Sequence, residues 1–567
     1  MKKYRNCWLY LVIFLIGCDG SNSDRSDGLD EESVDPLSKL VISEASSSNA
    51  VFEDEDGDTP DWFELYNGSD EEISLEGFTV TDDSDDPAKW SFSDITLLSN
   101  EYVLIWASDK DKKFHTNFKL SSKGETLSLF APNGLLINEL VVSGLVSDKS
   151  IGLSELDQRV VYYNSPTPGL ANTSEEYAGI VMSSISFSHV GGEFDGGSVT
   201  LNSSSDEEDI HFTLDSSLPK KSSPIYSDAI EILENTVIRA SIFKPDFIPS
   251  ETFTRTYIVS NIHSLPIVTL VSEPKNFFDE LSGIYEFGPE ENYDSWSPFL
   301  GANFWQDWER DIHFSFYEPN GELGVALDAG VKIFGGFSRS LSQKSLSIFA
   351  RGRYGSSELE YPLFPSLSYD SFQAVVLRNT GNDWMRACMR DVLSTSLMVD
   401  AGLEVQAARP VAVYLNGEYW GFYNLREKIN EHFLDAKINV SKSEINLLEK
   451  DAEVLFGSND NYLQLIDFVK NNSLVIDANY NHVASKIDVD NFITYNVAQI
   501  YINNQDWPHN NIKFWNSPST KWRWILFDTD FGWGLNGESH YFLDSLSYAL
   551  GEEIGERKTE SWATVLL

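Results

Sequence analysis

The chain is poor in positive charge and nearly devoid of cysteine. Against 88 Asp and Glu stand 41 Lys and Arg, a formal net charge of −47 over 567 residues. A surface of that sign repels phosphate backbones and lacks the counterion release that drives nucleic-acid binding, so nucleic acid is excluded as a partner. It suits a secreted, solvated surface better than a cytosolic housekeeping enzyme, although charge says nothing about fold. Of the 3 cysteines, Cys7 lies just ahead of the leading apolar run and would go with its cleavage, which leaves Cys18 and Cys388. Two such thiols supply no intrachain disulfide framework, and Cys388 alone cannot build a zinc site. The leading apolar run, Trp8 to Ile16, is too short to span a bilayer as a mature anchor.

What is present is length and aromatic surface. A chain of 567 residues exceeds one hydrophobic core and suggests about three or four domains. Aromatics make up 13% of it, with 15 Trp, so there is ample surface to bury. Residues 1–18 form a targeting segment: Lys2, Lys3 and Arg5 are a basic start, an apolar core follows, and "LIGC" closes it. Leu15-Ile16-Gly17-Cys18 resembles a bacterial lipobox, which implies cleavage before Cys18 and lipid attachment to it. A plain signal peptide with an incidental cysteine is the alternative. Residues 19–36, "DGSNSDRSDGLDEESVDP", cannot bury enough surface to fold and form an acidic tether.

Two β units come next. From 37 to 172, short alternating apolar runs ("KLVISEA", "DWFELYN", "EYVLIWAS", "TLSLFAP") are punctuated by turn residues, and "PNG" at 132–134 signals a hairpin. The stretches "DWFELYNGSDEEISLEGFTVTDD", "KWSF", "HTNFKLSSKGETLSLFAPNGLL" and "SPTPGLAN" resemble the lamin-tail domain, which implies an immunoglobulin-like sandwich. "EDEDGD" at 53–58 lacks the full ligand spacing of a calcium loop and has no terminal Glu in register, so a solvated acidic loop is expected. Residues 178–259 alternate strands with Pro and Ser turns. Here "FTLDSSLP", "TVIRASIFK" and "TRTYIV" resemble the small β-sandwich appended to chitobiases, a spacer or weak binding module. No paired-carboxylate cleft for glycosidase chemistry is visible in it.

Residues 264–567 are mixed. "FQAVVLRNT" and "PVAVYLNGEYWGFYNLRE" read as strands. In "DWMRACMRDVLSTSLMVDAG" the apolar positions Met385, Cys388, Met389, Val392, Leu393 and Leu397 have helical spacing up to Gly402. At least two more helical runs lie within 461–502. Strands followed by helices suggest an α+β arrangement in two lobes. The expected architecture is thus multidomain: an all-β immunoglobulin-like sandwich, a second small β-sandwich, then a two-lobed α+β domain.

Five stretches in this last part carry a family resemblance: "VKIFGGFSRSLSQKSLSIFA", "LRNTGNDWMRACMRD", "VAVYLNGEYWGFYNLREKINEHFL", "NNQDWPHNNIKFW" and "WRWILFDTDFGWG". They resemble, in order, the CotH kinase family, atypical relatives of protein kinases in the secretory pathway. The resemblance implies an ATP- and Mg²⁺-dependent (or Mn²⁺-dependent) enzyme that phosphorylates Ser or Thr of secreted or surface proteins. Lys344 then orients the α- and β-phosphates, or else sits on a solvated strand face. Gly335-Gly336 is neither a Walker motif nor a complete G-x-G-x-x-G. Glu427 either orients a segment near adenine or caps the helix that begins there.

Asp506 and Asn511 have the D-x-x-x-x-N spacing of a kinase catalytic loop, with Asp506 as proton acceptor and Asn511 on the metal. Such spacing also arises in ordinary turns. Asp528 and Asp530 stand two apart, so a continuing strand projects both carboxylates from one face. Two like charges that close need a cation between them, and Mg²⁺ answers that need, with Asp528 first and Asp530 second as ligand. A solvated turn is the bland alternative. The rival class is a non-catalytic surface-binding, adhesion or scaffold lipoprotein with a pseudokinase domain, its β modules taking a carbohydrate or protein ligand. Either way the expected place is the cell envelope, membrane-anchored through Cys18 on the periplasmic or extracellular face.

Overall fold

A computed structural model describes residues 35–550, apart from 122, 143–144, 206–207, 260–262, 291, 293–296 and 536–542. The expected leader and Cys18 therefore lie outside the described residues, as does the tether up to residue 34. Among the described residues no helix is long and apolar enough to cross a membrane.

The first unit is a β-sandwich. A six-stranded sheet runs in the order Glu176–Tyr177, Val160–Tyr163, Ser150–Leu153, Leu40–Ser46, Asp61–Asn67, Tyr102–Ala107. A four-stranded sheet, Trp90–Ser91, Thr79–Thr81, Glu125–Phe130, Leu136–Val142, faces it. Alternation puts Ile42, Phe63, Leu65 and Ile105 of the first sheet and Val80, Leu127, Leu129 and Leu140 of the second into one core. The "PNG" turn connects the last two strands as a hairpin, with Gly134 at φ 80° and its N–H on the Ala131 carbonyl at 2.8 Å.

The outer face of the six-stranded sheet holds two carboxyls with no solvent exposure, Glu44 and Glu64, directly opposite one another in the ladder. They clasp the "SPTPGLAN" segment. Thr167 donates its N–H (3.1 Å) and hydroxyl (3.0 Å) to Glu44 Oε2, and the Gly169 N–H donates to Glu64 Oε2 at 2.8 Å. Asn172 Nδ2 completes the clasp on the carbonyls of Ser43 and Leu153, each at 3.0 Å.

The loop 53–58 is largely solvated, as its sequence suggests, with Asp54 the buried exception. The Asp54 side chain is fully buried and accepts the N–H groups of Asp56 (2.9 Å) and Asp58 (3.0 Å). Lys110 Nζ sits among Asp54, Asp56 and Asp58 at 2.5, 2.8 and 2.7 Å. The Asp54, Asp56 and Asp58 carboxylates form one of the two groups of three metal-type ligand atoms found among the described residues, and both groups are in this loop region. The cation at its centre is a lysine ammonium, an arrangement that sequence spacing cannot reveal because Lys110 is remote in the chain.

The second unit is a smaller β assembly over 179–259, with the sheet Gly192–Phe194, Phe253–Val259, Thr236–Phe243, Asp209–Thr213 around Ile210, Ile238, Ile242 and Tyr257. It abuts the third unit: Asn235 Nδ2 donates to the Gly417 carbonyl at 3.1 Å.

The third unit begins with a closed barrel. Its seven strands follow in the order Ile267–Val271, Arg310–Tyr317, Leu323–Phe334, Ser345–Phe349, Ala374–Arg378, Glu418–Glu427, Ala408–Leu415, and the last closes parallel onto the first. Beyond it lies a five-stranded sheet, Glu404–Val405, Thr520–Leu526, Lys513–Ser517, Asn446–Glu449, Glu453–Phe456, packed against helices Asp460–Asn471, Asp477–Lys486 and Val489–Ile502.

One expected helix is shortened. Only Arg390–Leu397 is α-helical, because Asp383 takes the N–H groups of Ala387 (3.1 Å), Met389 (2.9 Å) and Arg390 (3.1 Å) and holds 383–389 as a turn. Met385 and Cys388 accordingly have φ of 60° and 57°, outside any helix. The apolar spacing was real, but a buried side-chain acceptor outbids the helix for its N–H groups.

The Glu64 clasp has a pH signature. Burial raises its carboxyl from the ordinary 4.5 to about 8, and Glu44 is raised in the same direction by burial. A folded-state pKa above the unfolded one contributes stability that is full below about 4.5 and lost as pH rises through about 8. Amide exchange in Leu40–Ser46 and Asp61–Asn67 of the full chain should therefore quicken from pH 5 to 8 beyond the intrinsic rate, and Glu64→Gln should flatten that trend.

Candidate functional site

The helix Val489–Ile502 ends at Asn503, which is left-handed at φ 52°. Trp507, 1% exposed, then pins the following loop into the C-terminal core. On that loop Asn511 Nδ2 donates to Asp506 Oδ2 at 2.8 Å and lies 3.4 Å from the main-chain carbonyl of Asp528. Asn510 Nδ2 adds a second donor to the same Asp506 oxygen at 3.1 Å. Asn504 accepts the Asp506 N–H at 3.2 Å, which fixes the loop from its other side. The D-x-x-x-x-N loop and the D-x-D turn are thus stitched into one site.

The carboxylates of Asp528 and Asp530 meet in a way that the pattern did not foresee. The strand stops at Leu526 and Asp528 is left-handed at φ 53°, so no continuing strand projects the two carboxylates. They converge instead on one guanidinium: Arg378 Nη2 bonds Asp528 Oδ1 and, at 2.6 Å, Asp530 Oδ2. The cation between the two acids is Arg378. Asp530 has no exposure and also accepts from the Asn382 N–H at 3.0 Å. Gly381, at φ 61°, makes that approach possible, since a Cβ there would lie 2.0 Å from Asp530 Oδ2. Burial first, and Asp528 second, push the Asp530 carboxyl up.

Behind this pair lies a second layer that was not singled out from the sequence. Asp391 bonds Arg426, accepts the Thr529 N–H at 2.9 Å, and stands 3.7 Å from Arg378 Nε. Burial alone would raise its carboxyl, but Arg426 and Arg378 outweigh that and hold it at about 2. The signal was available: Arg378, Asp391 and Arg426 are charged residues set in otherwise apolar strand and helix patterns, where an unpaired charge could not survive.

Two expected site residues are placed elsewhere. Lys344 shares strand parity with Leu346 and Ile348, which fill the barrel core. Its ammonium donates to the carbonyls of Arg339 (2.6 Å) and Leu341 (3.0 Å) over the Phe304 ring, 4% exposed, and burial brings it down to about 8. It lies neither on a solvated face nor among the acids. Glu427 is not the helix cap, a place taken by Asn430, which accepts the Phe433 N–H at 3.0 Å. The Glu427 carboxylate, 2% exposed, instead bonds Tyr369, the Ala407 N–H (2.7 Å) and Lys437 (3.2 Å).

Between barrel and C-terminal sheet lies a cleft of ≈ 370 Å³. Val376 and Phe334 of the barrel and Leu447, Leu455 and Phe527 opposite give it apolar walls, and Arg378, Lys428, Lys513 and Asp528 supply charge. The Asp528 side chain is 25% exposed. Asp528 with Asp530 behind it and the Asn511 amide beside it is a set of hard oxygen donors, which fits Mg²⁺ with its preference for one or two carboxylates plus phosphate.

Residues 331–567 match the family model for CotH kinase protein. Over that span the chain is similar to the CotH kinase family. Residues 34–144 match the lamin tail domain, and residues 199–257 match the Fn3 associated family. No curated protein matches the chain. The CotH match begins inside the third strand of the barrel, so two complete strands of that barrel precede it.

Arg378 should therefore matter to folding as well as to the site. Arg378→Met leaves Asp528, Asp530 and Asp391 without their shared cation, and removal of one partner from a buried charge cluster costs about 3–5 kcal/mol. Chemical denaturation of the full chain, followed by the fluorescence of its C-terminal tryptophans, should register that loss.

Proposed function

We propose that the CotH domain transfers the γ-phosphate of ATP to a Ser or Thr hydroxyl of a secreted or surface protein. The observation that carries this reading is the Asn511 bridge, which fastens the Asp506 carboxylate to the Asp528 turn at the edge of a cleft. Kinase chemistry needs that adjacency: a carboxylate for the nucleophile's proton next to carboxylates for the metal. In the proposed step the substrate oxygen bonds the γ-phosphorus and the bond to the β–γ bridging oxygen breaks. ADP leaves, and the hydroxyl proton passes to Asp506. Asp528 would hold Mg²⁺ or Mn²⁺ with Asn511 alongside, Asp530 fixes the turn from behind, and an ion so held would supply neutralisation of phosphate charge. Cleft and barrel on one side and the helical sheet on the other serve as the two lobes.

The same proposal places the chain in the cell envelope as a lipoprotein attached through Cys18. A Cys18→Ser chain should then leave the membrane fraction, since a diacyl anchor supplies the attachment; retention would reveal another anchor. The non-catalytic reading, a surface-binding or scaffold protein with a pseudokinase domain, is favoured by one feature. Arg378 already neutralises both Asp528 and Asp530.

Substitutions separate the two. Asp506 acts in the transition state, so Asp506→Asn should keep the thermal shift given by Mg²⁺-ATP, roughly 2.7 kcal/mol at one hundred times the dissociation constant, yet lose phosphate transfer. Asp528→Asn should lose both. Labelled phosphate on co-expressed surface proteins is the readout. Nucleotide binding by wild type without any transfer would support the pseudokinase, and no binding at all would end the kinase reading.

A further inference from the structure

Four lysines and arginines border the cleft between barrel and C-terminal sheet, and their partners differ. Arg378 is engaged by Asp528 and Asp530, Arg426 by Asp391, and Lys513 by Glu449 at 2.6 Å. Lys428 is the exception: among the described residues its ammonium has no hydrogen bond and no ion pair. It rests over the rings of Phe334 (4.9 Å to the centroid) and Phe349 (5.4 Å). The charges that act on it most are largely of its own sign, Lys513, Lys332 and Arg351, against the carboxylate of Glu431. Burial, followed by Lys513 and Lys332, brings its ammonium down to about 8. A chain with a net charge of −47 nonetheless concentrates positive charge here.

Strand parity separates this lysine from the one that the family pattern suggests. In the barrel, Val331 and Ile333, Leu346 and Ile348, Val375 and Leu377, and Tyr423 and Leu425 point inward. Phe334, Val376, Arg378 and Arg426 have the opposite parity and line the cleft. Lys344 belongs to the inward set and spends its donors on loop carbonyls, whereas Lys428 continues the cleft-lining set just past the last strand.

We infer that Lys428, not Lys344, is the side chain that holds the phosphate chain of the nucleotide. The inference rests on the kinase reading above. A polyphosphate supplies the anion that Lys428 lacks, and the Phe334 and Phe349 rings keep the ammonium aimed at the cleft. The apolar walls at Val376, Ile429, Leu447 and Phe527 suit a planar base. Lys344 serves the barrel: it ties the 339–341 turn over Phe304.

Calorimetric titration of the full chain with Mg²⁺-ATP and, separately, with tripolyphosphate tests this. Lys428→Met keeps the apolar stem over the two rings and should weaken both ligands at least tenfold, while the ligand-free melting temperature stays the same or rises. Lys344→Met should lower the ligand-free melting temperature and leave ATP affinity of the folded protein within about twofold. The assignment is overturned if Lys428→Met binds both ligands as wild type does, or if Lys344→Met loses ATP with its melting temperature intact. Should wild type bind tripolyphosphate but not ATP, and Lys428→Met neither, the anion site stands and the kinase reading falls. Should wild type bind neither, both fall.

Discussion

The guanidinium of Arg378 is the interaction on which the third unit turns. It leaves the end of a barrel strand and reaches two carboxylates of the D-x-D turn about 150 residues later, which welds barrel to helical sheet. Buried ion pairs of this kind are close to break-even in free energy, because desolvation offsets attraction. Their effect is positional. A guanidinium offers donors in a rigid plane, so the carboxylates that meet it have little choice of place. Gly381 has to be a glycine, Asn382 has to present its N–H, and Asp391 has to balance the charge behind, all because Arg378 stands where it does.

The chemistry sits on segments that this weld orders. Asp506 and Asn511 lie on a loop between a helix and a strand, and Asp528 and Asp530 on the turn that ends the next strand. Neither segment has regular structure, yet side-chain amides hold both, and buried Trp507 adds an anchor to the first. Loops carried by a rigid frame are where reacting groups are usually found, since backbone there is free to present side chains in directions that helices and strands forbid.

How much of this was legible beforehand depended on whether the deciding partner was near in sequence. The sandwich of the first unit was readable because period-two alternation is local, and the "PNG" hairpin because glycine's freedom is local too. Asp506 and Asn511, five apart, could be paired from spacing alone. The loop 53–58 was readable as solvated, but the burial of Asp54 was not, because its partner Lys110 lies some fifty residues away. Lys344 and Glu427 were misplaced for a different reason. Sequence identity locates a residue on a strand, but only the core of the barrel decides which parity points inward. The helix expected from Met385 onward failed because Asp383, just outside its apolar pattern, claims the N–H groups that the helix needed.

The parallel closure of the barrel has a practical side. Ile267 lies opposite Ala412, so the first strand finds its second neighbour only after most of the barrel has been laid down. The span that matches the CotH family begins at 331, part-way along the third strand. A piece excised at that boundary would leave behind two whole strands and the Leu323–Gly330 part of the third, and bare the flank of Ala408–Leu415. Unpaired ladders of that length recruit other chains. For anyone preparing this domain in isolation, the natural place to cut is therefore ahead of Ile267, in the stretch that separates the barrel from the strand Phe253–Val259.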